Sequence, residues 1–305
     1  MSGYSSKGFS GTVSLNLKRT MMKRIFLLMM SVCCVAFSGC SKTEEPQGDA
    51  GWNNNTKPKE NLVVMSYNIR HCAPYYGTSE TTTADVNNVA NVIKQKKPDV
   101  VLLQEVDYKT TRSLGVDQAK ELAKLAGYPY YYFFKQKDFQ GGAYGAAILS
   151  SFQLNEIVNH DLPKEINGLT ITGSNVLGTA KIKFNGSNVC LAVIHLSVTQ
   201  SERDRQFPIM MEALDSKQDI PVILGGDFNS KPDNSIIGKL EAAGFIRTNK
   251  DPQNFTIPSN APNREIDYIA YRPQNGVEVV SHTVITGVNA SDHLPIISVL
   301  NILEP

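Results

Sequence analysis

One segment of the chain passes directly from an apolar run into two glycines and then into polar residues, and it reads Val222-Ile223-Leu224-Gly225-Gly226-Asp227-Phe228-Asn229. Its apolar start predicts a buried β-strand. Gly225 and Gly226 would allow a backbone or a ligand to approach closely. An extended Asp227–Asn229 would direct both polar side chains to the same side, towards one bound group; an Asx-type turn is the alternative.

The same arrangement recurs along the chain: an apolar strand has, at one end or next to it, a side chain of a type that can bind metal or transfer protons. Open sheets place their ligand crevice where the ends of strands converge. We therefore expect one shared site, not polar residues scattered over the surface. The other strands with such residues are Leu62–Tyr67 with Asn68, Val100–Leu103 with Gln104-Glu105, Val189–Ile194 with His195, Ile266–Ala270 with Asp267, and Ile296–Leu300 preceded by Asp292-His293.

Segments with helical periodicity lie between the strands. A strand-rich alternation with few helices favours mixed sheets that pack face to face, with the helices outside. No repeat or internal linker follows residue 60, so residues 61–305 are predicted to form one α/β domain. Helices are predicted at Asp85–Lys96, Gln118–Ala126, Glu202–Leu214 and Ser235–Ala243, and further strands at Tyr130–Phe134, Ala146–Leu149, Thr179–Phe184 and Val277–Val284.

The composition is that of an ordinary globular protein, with 41% hydrophobic and 19% charged residues. The net charge is +1, but residues 1–40 contain five basic residues and no acidic ones, which leaves −4 for the remainder. Such a surface gives no long-range attraction to nucleic acid or anionic lipid, so affinity for phosphate must come from a local site or a metal.

The amino terminus has the layout of an export signal. Basic residues at Met21–Arg24 precede a run of about 13 apolar residues, too short to span a membrane, which needs ~20. Cys40 after Phe37-Ser38-Gly39 resembles the lipobox of bacterial lipoproteins, although Phe37 replaces the usual Leu. We therefore expect lipidation of Cys40; a plain cleaved signal is the alternative.

The resulting expectation is an exported, monomeric protein that is lipid-anchored to the cell envelope through Cys40. Residues 1–20 resemble neither signal nor domain, so translation is expected to begin at Met21 or Met22. Residues 41–60 are polar and aperiodic and predict a flexible tether, and their acidic pair Glu44-Glu45 suggests surface exposure. In the domain, Cys72 and Cys190 are expected to be buried, without a zinc site.

The ordered set of strand-end motifs resembles the endonuclease/exonuclease/phosphatase superfamily, in a bacterial lipoprotein branch. This superfamily contains deoxyribonucleases, abasic-site endonucleases, inositol polyphosphate 5-phosphatases and bacterial sphingomyelinases. The resemblance covers about residues 61–302 and implies a four-layer, deoxyribonuclease I-like sandwich. The matching segments are Ser66–Arg70, Leu103–Asp107, Tyr144–Ser150, Ile194–Leu196, Gly226–Asn229, Ile266–Ile269 and Ser291–Pro295.

The resemblance implies a hydrolase that needs Mg²⁺ or Mn²⁺. Glu105 is the best candidate metal ligand, because Mg²⁺ prefers one or two carboxylates together with waters and substrate oxygens. Asn68 either binds the metal or orients Glu105, and Asp292 faces the metal or the water. A structural ion pair for Glu105 and a turn at Asn68 are the alternatives.

The remaining residues of the site are expected to carry the chemistry. Asp227 acts on the attacking water or the leaving group, and Asn229 donates to a phosphate oxygen. His293 pairs with Asp267, which raises the pKa of the imidazole. His195 contacts the phosphate. Whether Asp227 or the Asp267–His293 pair takes the proton stays open.

Substrate contacts are assigned to Arg112, Tyr144 and Arg264, although exposed Arg and Tyr are also common without a role. Ser197 stands where many relatives have an acid, which puts substrate-side contacts in doubt.

The expected function is metal-dependent hydrolysis of a phosphodiester or phosphomonoester by in-line attack of water. A nuclease that acts on extracellular DNA or RNA and a non-catalytic binding lipoprotein are the alternatives; the substrate, whether nucleic acid, phospholipid headgroup or sugar phosphate, is not distinguished.

Overall fold

The structure is a computed structural model that describes residues 59–78, 82–160, 165–173, 175–216, 219–273 and 276–303. The expected signal and lipobox at 1–40 and most of the expected tether at 41–60 lie outside these residues. In the described part, no helix is long and apolar enough to cross a membrane.

Fourteen strands and four α-helices occur in the described residues. In chain order the strands are β1 (Leu62–Asn68), β2 (Val100–Tyr108), β3 (Tyr130–Phe139), β4 (Gly142–Ser150), β5 (Asn155–His160), β6 (Glu165–Ile166), β7 (Leu169–Thr170), β8 (Val176–Phe184), β9 (Ser187–His195), β10 (Val222–Asp227), β11 (Ile246–Arg247), β12 (Asp267–Arg272), β13 (Val277–Val284) and β14 (Ile296–Ile302). The helices are α1 (Val86–Lys96), α2 (Gln118–Ala126), α3 (Gln200–Asp215) and α4 (Ser235–Ala242).

Two mixed sheets of six strands each form the centre of the domain. Their strand orders are β13-β14-β1-β2-β4-β3 and β11-β12-β10-β9-β8-β5, and β6 pairs with β7 in a small hairpin. Each large sheet contains one parallel pair, β1 with β2 and β9 with β10, and its other pairs are antiparallel. Three of the functional side chains predicted from the sequence, Asn68, His195 and Asp227, lie at the ends of these parallel pairs.

Three apolar layers follow from the alternation of side chains along the strands. Val64 and Leu102 of the first sheet pack against Val193 of the second in the central layer. The opposite face of the first sheet packs on α1 and α2, and the opposite face of the second packs on α3 and α4. The predicted four-layer α/β sandwich with helices outside is therefore confirmed.

Local sequence signals place the helix boundaries. The Asp85 side chain accepts a hydrogen bond from the Asn87 amide and caps α1, so the predicted helix begins one residue too early. Gly127, with a φ of 84°, ends α2 at the predicted residue. Cys72 and Cys190 are buried, as expected, and they are not joined in a disulfide.

Gly226 lies at a close approach of two backbones. A Cβ at this position would be 1.9 Å from the carbonyl oxygen of Ile194 on β9. Gly226→Ala is therefore expected to lower the free energy of unfolding by about 3 kcal/mol, as overpacking does. In contrast, a Cβ at the helical residue Gly238 meets no described atom within 4 Å, so Gly238→Ala should raise it by up to about 1 kcal/mol. Urea unfolding tests the pair, and equal midpoints would contradict this packing.

Candidate active site

The strand registers bring four predicted residues to one edge of the sandwich. His195, Asp227 and Asp267 are side by side on the adjacent strands β9, β10 and β12. Asn68 ends β1 in the other sheet, and its Nδ2 donates to Asp227 Oδ2 at 3.1 Å. All four side chains are buried, so the two sheets share one polar centre between their ends.

Glu105 reaches this centre through an irregularity in β2. The sequence predicts that the strand ends at Leu103, but it continues to Tyr108 across a β-bulge between Leu103 and Val106. Glu105 has a φ of 57°, which is uncommon for a residue other than glycine and marks a strained position. The half-buried carboxylate accepts a hydrogen bond of 3.2 Å from Asn68. Burial, followed by the charge of Asp292, raises the pKa of Glu105.

His293 and Asp267 form the expected pair. The imidazole Nδ1 lies 2.9 Å from Asp267 Oδ2, and Thr256 donates to the same oxygen at 2.5 Å. The other ring nitrogen, Nε2, is 3.8 Å from Asp227 Oδ2. Burial alone would lower the pKa of His293, but the carboxylate of Asp267 and its hydrogen bond outweigh burial and raise it to about 10. The imidazole is therefore a cation at neutral pH.

The pKa of Asp227 moves in the direction that suits a base near neutral pH. Burial raises it to about 6, and the neighbouring charge of Asp267 acts in the same direction. Oδ2 lies at the centre of three contacts, with Asn68, with His293 and with His195, whose Nε2 is 3.5 Å away. Oδ1 accepts a hydrogen bond of 2.7 Å from the amide of Asn229.

That last contact corrects the extended conformation expected for Asp227–Asn229. Asn229 has a φ of 47°, and the Asx-type turn given as the alternative is the one that forms. The Asn229 side chain nevertheless reaches the site, because its Nδ2 lies 3.4 Å from His195 Nε2 and donates to the carbonyl of Leu196 at 2.9 Å. The Nδ1 atom of His195 is buried without a hydrogen-bond partner among the described residues.

The loop before β14 carries Asp292 to the other side of the centre. The hydroxyl of Ser291 donates to the carbonyl of Asn68 at 2.7 Å and accepts from the amide of His293 at 3.2 Å, which fixes the loop. Asp292 Oδ2 lies 3.9 Å from Nε of Arg70. Asp292 is half-buried, so its carboxylate is accessible from solvent.

Two groups of residues could hold a metal ion. Asp227, Asp267 and His293 offer ligand atoms within 4.8 Å of one another. The hydrogen bond between Asp267 and a protonated His293 accounts for that proximity, however, and a protonated imidazole is not a ligand. Asn68, Glu105 and Asp292 provide hard oxygen ligands, and bound positive charge would relieve the repulsion between the two carboxylates. The residues present therefore fit a divalent cation.

The three expected substrate contacts lie in different surroundings. Arg112 donates two hydrogen bonds to the buried Asp107, at 2.7 and 2.9 Å, and lies over the ring of Tyr144. Its charge acts on Glu105, which places Arg112 beside the site, and the Tyr144 side chain is buried. The side chain of Arg264 is exposed. No contact with substrate is tested by this geometry, so all three assignments stay predictions.

Two residues at the site are absent from the sequence-based assignment. His71 is buried, neither ring nitrogen has a hydrogen-bond partner in the described part of the chain, and burial, followed by the charge of Arg112, lowers its pKa to about 4. It lies in a left-handed turn in which φ is 46°, 46° and 59° for Arg70, His71 and Cys72. Lys137 of β3 is half-buried, and its charge acts on His195.

The sequence places His160 and His282 in no motif and predicts that both are surface residues, and this prediction is wrong. His282 is half-buried and lies within hydrogen-bond distance of Thr248 at 2.9 Å and Asn254 at 3.2 Å, and burial lowers its pKa to about 4. His160 is also half-buried and lies 2.9 Å from Thr179 Oγ1. Both side chains therefore have polar partners inside the fold.

Comparisons with known proteins agree with this fold. The model of the Endonuclease/Exonuclease/phosphatase family matches residues 65–293. No curated protein matches the chain at a significant level. Similar solved structures include an endonuclease/exonuclease/phosphatase from Beutenbergia cavernae DSM 12333, with a TM-score of 0.69, 22% identity and coverage of 80% of this chain and 72% of that one.

Two further similar structures are of proteins that have individual names. The mannosyl-6-phosphatase of Bacteroides thetaiotaomicron has a TM-score of 0.63 and 18% identity over 78% of this chain and 99% of that chain. The human Nocturnin catalytic domain with a bound sulfate anion has a TM-score of 0.61 and 22% identity over 80% and 94%. At these identities the likeness shows the fold alone. The family model covers most of the chain, and the protein therefore belongs to the Endonuclease/Exonuclease/phosphatase family, whose members hydrolyse phosphoester bonds.

Proposed function

We propose that the protein is a divalent-metal-dependent phosphoesterase that hydrolyses a phosphodiester or phosphomonoester by in-line attack of water. One observation carries the proposal: a continuous series of polar contacts joins the carboxylate of a hard-ligand group to a proton-transfer pair. Asn68 Nδ2 lies 3.2 Å from Glu105 Oε1 and 3.1 Å from Asp227 Oδ2. His293 continues the series, with its Nε2 3.8 Å from Asp227 Oδ2 and its Nδ1 2.9 Å from Asp267 Oδ2.

Mg²⁺ or Mn²⁺ would be held by Glu105 and Asp292, with Asn68 as a third oxygen ligand or as the residue that orients Glu105. Carboxylate and amide oxygens suit these hard cations better than zinc. Such an ion, when bound, neutralises the charge that develops on the phosphoryl oxygens. The Asn68 amide donates to Glu105 and so fixes the orientation of that carboxylate.

Asp227 is the residue that accepts the proton of the attacking water in this proposal. A group accepts a proton only when it is deprotonated, and its pKa of about 6 leaves Asp227 ionised at neutral pH. His293 cannot take this role, because its pKa of about 10 keeps it protonated. The imidazolium instead stabilises negative charge, and the Asp267 contact holds its Nε2 towards Asp227.

His195 and Asn229 are placed to contact the phosphoryl group. Their Nε2 and Nδ2 atoms lie 3.4 Å apart at the end of β9, where both are potential donors to one oxygen. Burial is the main cause that lowers the pKa of His195, so this imidazole is neutral at pH 7 and donates a hydrogen bond without being an acid.

The direct test is hydrolysis of p-nitrophenyl phosphate and bis-p-nitrophenyl phosphate in ¹⁸O-labelled water, with Mg²⁺ or Mn²⁺ present. We expect turnover with one ¹⁸O atom in the phosphoryl product, because water attacks phosphorus. Label in p-nitrophenol would mean attack at carbon and would contradict the mechanism. DNA, RNA and phospholipids are the substrates to screen next; the net charge of −4 over residues 41–305 disfavours a preference for duplex DNA.

A bell-shaped pH dependence of kcat/KM is expected. Activity should fall below a pH of about 6, where Asp227 becomes protonated, and above about 10, where His293 loses its proton. Asp267→Asn removes the charge that raises both pKa values, so both limbs of the profile should move to lower pH. An alkaline limb that stays in place in this variant would show that His293 is not the group that titrates there.

We also propose that the protein is exported and lipid-anchored to the cell envelope through Cys40. The support is the lipobox-like order of basic, apolar and small residues before that cysteine. Metabolic labelling with radioactive palmitate in a bacterial host should label the protein and should fail to label Cys40→Ser. Equal labelling of both would contradict the anchor.

A further inference from the structure

Two cations share one pair of aromatic rings beside the centre. The guanidinium carbon of Arg112 lies 4.6 Å from the ring centroid of Phe139 and 5.6 Å from that of Tyr144. The Nζ atom of Lys137 lies 5.7 and 5.4 Å from the same two centroids. We call these four residues the cation subsite.

The strand registers place this subsite at the polar centre. Tyr144 of β4 is opposite Asp107 of β2 on one side and Lys137 of β3 on the other, so the three side chains share one face of the sheet. A bulge between Lys135 and Lys137 brings Lys137 into this row. The charge of Lys137 reaches His195 in the second sheet, where it adds to the effect of burial.

The subsite holds more positive charge than its own carboxylate balances. Arg112 is paired with the buried Asp107, which also accepts hydrogen bonds from Thr110 and Ser113. Lys137 makes no salt bridge with any residue that the structure describes. Arg112 thus has Asp107 as its counter-charge, whereas Lys137 has no paired carboxylate, and this favours an anion as the partner of Lys137.

We propose that the cation subsite binds the third non-bridging oxygen of a phosphomonoester dianion, and that monoesters are the substrate class of this protein. The proposal rests on the phosphoesterase function proposed above. In this arrangement, one non-bridging oxygen of the phosphate lies towards Glu105, and a second lies towards His195 and Asn229. The third then faces Lys137. In a diester that third oxygen carries a carbon substituent and no charge, so Lys137 has nothing to bind.

Lys137→Met tests the proposal, because it keeps the aliphatic stem over the rings and removes the charge. We expect kcat/KM for p-nitrophenyl phosphate to fall by roughly 10- to 100-fold, the size of a charge-assisted hydrogen bond, and to change by less than about 3-fold for bis-p-nitrophenyl phosphate. Lys137→Arg should restore part of the monoester activity. The matched control is Lys135→Met, since Lys135 is exposed on the same strand and paired with Asp138.

The outcomes separate this inference from the proposed function. Equal losses on both esters, or no loss on either, would overturn the subsite while leaving the phosphoesterase intact. If the wild type hydrolyses neither ester, calorimetry with inorganic phosphate still decides: affinity at least 10-fold weaker in Lys137→Met supports the subsite, and equal affinity overturns it. Thermal melting of each variant checks that its fold is unchanged.

Discussion

Replacement of His293 by alanine is expected to lower kcat by about 10³-fold, within the range observed for loss of a donor that stabilises negative charge in the transition state. The imidazolium is the only cation in the contact series from Glu105 to Asp267, and its Nε2 lies 3.8 Å from Asp227. Its removal leaves two buried carboxylates, Asp227 and Asp267, without a positive charge between them. The pKa of Asp227 should then rise further, which lowers the fraction of active base at neutral pH.

His160→Ala is the matched control for this prediction. His160 is half-buried on β5, and its Nε2 lies 2.9 Å from Thr179 Oγ1. Its replacement should change kcat by less than about 2-fold. A loss of less than 10-fold in His293→Ala, with the fold intact by circular dichroism, would remove His293 from the mechanism.

Glu105→Gln should abolish metal binding and raise thermal stability in the absence of metal. Glutamine keeps the shape of the side chain and its contact with Asn68 but removes the charge that binds the cation, so we expect Mg²⁺ affinity to fall by more than about 100-fold in calorimetry. Burial and the charge of Asp292 raise the pKa of Glu105, which means that its ionised form destabilises the metal-free fold. The neutral amide of the variant relieves this cost, so Tm should rise.

The opposite signs of the two effects make this prediction specific. A structural role for Glu105 would lower Tm together with metal affinity. Glu212→Gln on the exposed face of α3 is the control, and neither quantity should change. Unchanged Mg²⁺ affinity in Glu105→Gln would place the metal elsewhere, with Asp227 and Asp267 as the first alternative.

The layers of the fold and most of the site could be predicted because each depends on short-range patterns. Apolar runs such as Val222–Leu224 specify buried strands, and the polar residue that follows each run lies at the strand end. The ends of parallel strands meet at one edge, so the identity of the site follows from the order of the motifs. Asn68, His195 and Asp227, which follow three such runs, accordingly lie in contact at that edge.

Backbone irregularities could not be predicted from those patterns. Glu105 lies in a bulge and Asn229 in a left-handed turn, and neither residue type requires these conformations. The bulge next to Gln136 likewise decides that Lys137 faces the centre while Lys135 is exposed. His71 was missed for a similar reason, because a left-handed run of three residues other than glycine has no sequence signal.

The measurement that tests the central claim most directly is the initial rate of p-nitrophenyl ester hydrolysis by EDTA-treated protein as Mg²⁺ or Mn²⁺ is titrated back. We predict no turnover after chelation, saturable recovery with either ion, and no recovery in Glu105→Gln at ion concentrations that restore the wild type. Turnover that persists in EDTA, or a wild type that neither hydrolyses an ester nor binds any divalent ion, would contradict the assignment of this centre as a metal-dependent phosphoesterase.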